Sequence, residues 1–136
     1  MQVAKYQWSA MSVPLAEGTD RWAVVWNSEQ SKERQRASIL EEFWHILLGH
    51  KLTRITKIAD IYGRTFEANE EHDAFYLAAA TLLPATTIET WITQQKEVSE
   101  LAQKFGTTIE LVEYRIKRLG LWRKYKRVKV SLEPEQ

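Results

Sequence analysis

The chain has 136 residues, 44% of them hydrophobic and 27% charged, which is the balance of an ordinary soluble globular protein able to bury a core. It contains no cysteine, so disulfides, thiolate metal sites and cysteine nucleophiles are excluded, and any metal must be held by His, Asp and Glu. The net charge of +1 hides an asymmetry: residues 96–130 carry ten Lys/Arg against four Asp/Glu, so an acidic partner or a nucleic acid would be drawn to the C-terminal third.

The first fourteen residues lack the long apolar region of a signal peptide, and no apolar run approaches the roughly 20 residues needed to cross a bilayer. A cytoplasmic protein without a membrane partner is expected. Residues 3–13 show scattered apolar positions without a clear period and read as an irregular or strand-like lead-in. The turn signal Gly18-Thr19-Asp20 precedes RWAVVWN at 21–27, whose Val and Trp density predicts a strand buried largely on both faces. The polar stretch 28–36 reads as the exposed first turns of a helix that continues to about Leu48, with Gly49 as its stop. Residues 51–63 alternate Lys/Arg with Leu, Ile and Tyr, the pattern of a basic surface linker with room for a short strand.

A second strong helix is predicted over 67–83. It is acidic in its first turns at Glu67, Glu70, Glu71 and Asp73, then alanine-rich, and it is ended by Pro84. Thr86-x-x-Glu89 matches a capping box for a short helix to about Ile92. Residues 98–121, VSELAQKFGTTIELVEYRIKRLGL, read as helix, turn at Gly106 and second helix opened by the box Thr107-x-x-Glu110, the pattern of a helix-turn-helix. In that pattern Leu101, Ala102 and Phe105 face Ile109, Val112 and Ile116. The basic stretch WRKYKRVKV follows.

The stretch most suggestive of chemistry is SILEEFWHILLGH at 38–50. Glu41 and His45 are one helical turn apart on one face, and Glu42 lies about 100° round from Glu41. Burying them among Ile39, Leu40, Phe43, Ile46, Leu47 and Leu48 costs several kcal/mol unless they are paired, hydrogen-bonded or bound to a metal. Bland readings stand beside the chemical one. Ser38-x-x-Glu41 matches a capping box, Glu42 suits an ion pair with Arg36, and His45 suits a satisfied core histidine. His50 is about 140° from His45 on a continuing helix and reads as structural. Asp73 suits a complement to the helix dipole.

At these residues the chain resembles the ImmA/IrrE family of metallo-endopeptidases. The family pattern is close to RFTLAHELGHxLLGH, then an EAxxFAAxLLMP helix, then a small helix-turn-helix segment. RQRASILEEFWHILLGH, DAFYLAAATLLP and VSELAQKFGTTIELVEYRIKRLGL occur here in that order, so the resemblance covers about residues 21–121. It implies a general base at Glu42 and metal ligands at His45 and Asp73, with Glu41 where the family has its first ligand histidine. Zinc is the ion it implies. The oxygen-rich set also admits manganese or a site without metal.

The expected architecture is α+β: a small zincin-like core of a short sheet, an active-site helix and a ligand helix, followed by a helix-turn-helix-like pair. The expected domains are a peptidase-like domain over 1–92, the helical pair over 93–126 and a basic then acidic tail over 127–136. The resemblance implies an endopeptidase cleaving a protein or peptide substrate, such as a repressor. The alternative is a metal-free pseudo-peptidase acting as a regulatory protein- or DNA-binding module. On DNA, Arg115, Lys117, Arg118, Arg123 and Lys124, with Lys126 and Arg127, would contact phosphates.

Overall fold

Valine and tryptophan at alternating positions favour extended backbone, and β2 (Trp22–Trp26) pairs antiparallel with β1 (Ala10–Pro14) in the register Ser12↔Val24. This computed structural model describes residues 8–18, 20–50, 54–58, 61–65 and 68–125; Lys126, Arg127 and the tail at 127–136 lie outside them. The connection between β1 and β2 is closed by the Leu15 N–H donating to the Arg21 carbonyl at 2.9 Å. β1 overlaps the irregular or strand-like lead-in expected over residues 3–13, of which 3–7 lie outside the described residues. The strand β2 is half-buried and then exposed, with Val25 39% and Trp26 46% accessible, rather than buried on both faces. Among the described residues β1 and β2 form a two-stranded sheet that packs on α1 (Lys32–Leu47).

The helix α1 starts at Ser31, whose hydroxyl accepts from the Arg34 N–H at 3.3 Å. Ser38 is therefore mid-helix, and the Ser38–Glu41 capping box is not formed. The stretch at 51–63, read as a linker, contributes to an antiparallel hairpin of β3 (Arg54–Ile58) and β4 (Ile61–Thr65). Its alternation of basic and apolar residues is the period-2 signature of strands, which the local charge obscured.

α2 (Ala68–Leu82) buries Ala74, Ala78 and Ala79 almost completely. α3 (Ala85–Thr93) follows directly, and its N-cap position is Pro84, with no side-chain cap. The Thr86–Glu89 box is absent because the helix begins before Thr86 can occupy the cap. α4 (Val98–Phe105) ends on Gly106 in the left-handed conformation at φ +61°, and α5 (Ile109–Arg118) is capped by Thr108, which accepts from the Leu111 N–H at 3.1 Å. The cap is thus one residue later than Thr107, which is buried. Leu101, Ala102, Leu111, Val112 and Ile116 form the apolar seam of this helical pair, while Ile109 is 45% exposed.

The result is an α+β fold with the elements in the expected sequence. It divides into two compact units, Met1–Ala78 and Ala79–Gln136. No helix among the described residues is long and apolar enough to cross a membrane.

Candidate metal centre

The inward face of α1 is polar. Its buried residues are Gln35, Glu42 and His45, whereas Phe43, Leu47 and Leu48 are exposed. This inverts the expected arrangement, in which the apolar residues covered the charges. Gln35, Glu42 and His45 each have a polar partner. Gln35 Nε2 donates to the carbonyls of Ser28 at 3.2 Å and Gln30 at 2.7 Å. Glu42 Oε2 accepts a short hydrogen bond from the Ser12 hydroxyl on β1. His45 Nδ1 lies 2.9 Å from His50 Nδ1.

Glu41 and His45 project from successive turns of α1 and meet Glu71 from the first turn of α2. One donor atom from each, a carboxylate oxygen from Glu41 and Glu71 and a ring nitrogen from His45, lies within 4.8 Å of the others. Protein ligands bond such ions at about 2.0–2.3 Å, so two donors on one ion stand at most about 4.6 Å apart, and side-chain shifts of a few tenths of an ångström bring the cluster to that span. His45 is 1% exposed, and its Nε2 faces Glu71 Oε2 at 3.7 Å, beyond hydrogen-bond reach.

The electrostatics fit a site that gathers negative charge. Burial, the adjacent Glu71 carboxyl with its hydrogen bond, and Glu42 push Glu41 from an ordinary 4.5 up to about 8. Glu42 is also raised, chiefly by burial, against the opposing influence of the Ser12 hydrogen bond and of His45. With two carboxyls in contact, one proton is retained between them at neutral pH. A cation would take that proton's place, and its binding would release it.

The third donor corrects the sequence reading. Asp73 is exposed and takes no part in the cluster; Glu71 stands beside Glu41 and His45 instead. At about 100° per residue, Glu71 shares a stripe with Ala74 and Ala78, whereas Asp73 lies about 200° away. Ala74 and Ala78 are 0% and 2% exposed, so the alanine stripe marks the buried face, and extending it one turn towards the N-terminus reaches Glu71. Ser12, thirty residues from Glu42, carries no local signal for its role.

A family model for Peptidase_M78, the IrrE N-terminal-like domain, matches residues 3–117. The chain belongs to this family. No curated protein and no solved structure is a match. Membership in Peptidase_M78 makes the chain a member of a metallopeptidase family, and the Glu41/His45/Glu71 group is its metal-site candidate among the described residues.

The nucleic-acid candidates separate into two groups. Arg115 is 2% exposed, and its Nε donates to the Leu83 carbonyl at 2.9 Å, so it closes the C-terminal end of α2 from inside the second unit and cannot reach a phosphate. Lys117, Arg118, Arg123 and Lys124 are exposed. The first turns of α5, which would enter a DNA groove, instead carry Glu110 and Glu113.

Proposed function

We propose that this Peptidase_M78 chain is a metal-dependent endopeptidase whose ligands are Glu41, His45 and Glu71 and whose general base is Glu42. The observation that carries this reading is the convergence of three donor atoms from two helices within 4.8 Å, with Glu42 next in sequence to one of them. A divalent ion bound there supplies the Lewis acidity that activates water and polarises a peptide carbonyl. The remaining work belongs to the chain. Glu42 takes up a proton on its carboxylate and passes it to the leaving amine, and burial, by raising its proton affinity, suits it to that exchange. Ser12 holds Glu42 against β1 and fixes its rotamer. Among the described residues β2 pairs only with β1, so its other edge is available to an extended peptide, which main-chain hydrogen bonds would align. The donor set, two carboxylates and one imidazole, suits manganese as well as zinc. A repressor or similar regulatory protein is the substrate class the family resemblance supports.

A second reading has its own support. The hydrogen bond between Glu41 and Glu71, with a proton retained to about pH 8, satisfies the site without an ion. On that reading the chain is a metal-free binding module, contacting a regulatory protein or DNA through its exposed basic residues.

Metal content of protein purified without chelator separates the two. The peptidase reading expects about one divalent ion per chain. It also expects protein hydrolysis that is lost on chelation and falls at least 100-fold in Glu42→Gln. Absence of a stoichiometric ion at neutral pH eliminates it. A gain of tight zinc binding in Glu41→His alone would then identify the missing histidine as the cause.

A further inference from the structure

We infer that His50 is a positioning residue for His45, accepting a hydrogen bond from His45 Nδ1–H and so turning the lone pair of Nε2 towards Glu41 and Glu71; the inference rests on the metal reading of that site. On a continuing helix these two histidines would be well apart. The helix does not continue. Gly49 has φ +66°, its N–H donates to the Ile46 carbonyl at 3.1 Å, and the His50 N–H donates to the His45 carbonyl at 3.0 Å. Those two bonds are the paired 5→2 and 6→1 contacts of a Schellman motif, which folds the residue after the glycine back over the residue five earlier. That position is normally filled by an apolar contact. Here it is filled by two imidazoles with Nδ1 atoms 2.9 Å apart and ring planes at 64°.

An N–H···N bond needs a hydrogen on one nitrogen and a lone pair on the other. If His50 were the donor, neutral His45 would carry its hydrogen on Nε2. That hydrogen would occupy the lone pair with which Nε2, the atom facing Glu71 Oε2 at 3.7 Å, would hold an ion. The opposite direction leaves Nε2 as a ligand atom and secures ring orientation with the same contact. A ligating histidine whose second nitrogen is held in this way keeps both its tautomer and its aim. The sequence therefore delivers a ligand and its support within six residues, through one left-handed glycine.

The full chain labelled with nitrogen-15 in histidine tests this at neutral pH. Long-range proton–nitrogen correlations are expected to show His50 with its hydrogen on Nε2, and a nitrogen–nitrogen coupling between the two Nδ1 atoms. A hydrogen on His50 Nδ1 overturns the inference. Zinc affinity, read by competition with a chelating dye, provides the second arm. His50→Ala is expected to weaken it 10- to 100-fold. His50→Asn, whose Oδ1 overlies Nδ1 and can only accept, is expected to stay within about threefold of the natural chain. Equal affinity in the natural chain and His50→Ala overturns the inference. A natural chain that takes up no zinc refutes the metal reading, and the nitrogen spectrum then decides on His50 by itself.

Discussion

The helix α1 and the helical pair α4–α5 solve opposite problems. In the pair, Leu101, Ala102, Leu111, Val112 and Ile116 are turned inward, and the charged residues Lys104, Lys117 and Arg118 face solvent. In α1, Gln35, Glu42 and His45 are inward, and Phe43 and Leu47 are 48% and 57% exposed. The pair gains stability from transfer of apolar surface out of water, at about 25 cal/mol per Å². The polar face of α1 gains little of that and must instead satisfy each buried group with a partner, through Ser12, His50 and the carbonyls of Ser28 and Gln30.

The comparison can be broken most strongly in the pair. Ile116→Ala removes a side chain that is 1% exposed and is expected to cost about 2–5 kcal/mol in chemical denaturation. A cost below about 1 kcal/mol would show that the seam is not the second unit's main support.

A smaller effect is expected from pH. Without an ion, the folded chain keeps a proton on Glu41 to about pH 8, whereas the unfolded chain releases it near 4.5. The unfolded state thus binds fewer protons between those values, and stability falls as pH rises from about 4.5 to about 8, then levels off. Glu42, raised in the same direction, adds to the decline. The slope from Glu41 is expected to stay below the roughly 1.4 kcal/mol per pH unit of one full proton, because the group is partly accessible to solvent. Glu41→Gln should flatten the profile, and an unchanged slope in that variant would remove the carboxyl pair as its source.

The smallest expected change in stability sharpens the contrast. Replacing both members of the buried side-chain hydrogen bond, Ser12→Ala with Glu42→Leu, removes hydroxyl and carboxylate together and costs the backbone N–H of residue 12, a second donor to Glu42, its partner. It is expected to fall within about 1 kcal/mol of the natural chain or to stabilise it, while hydrolysis is lost. A loss of several kcal/mol would mean that the polar face of α1 supports the fold after all.

Much of this was legible along the chain. Apolar periodicity, the stop at Gly49, the alanine run and Pro84 locate α1 and α2 and show that Glu41 and His45 share a face, because those signals are local and act within one or two turns. The same locality explains the failures. Asp73 and Glu71 have the same kind of side chain two residues apart, and only the packing of Ala74 and Ala78 shows which is turned inward. Arg115 resembles its basic neighbours in sequence, yet Leu83, thirty-two residues away, takes its guanidinium into the interior.

What the sequence by itself determined was the order and type of the helices and the family they belong to, since helix period, caps and breakers are written in neighbouring residues. Tertiary structure decided which face of α1 is inside, that Glu71 stands beside Glu41 and His45, and that Ser12 holds Glu42. Those outcomes depend on contacts between elements, and free energy gained across such contacts leaves no periodic trace in either partner.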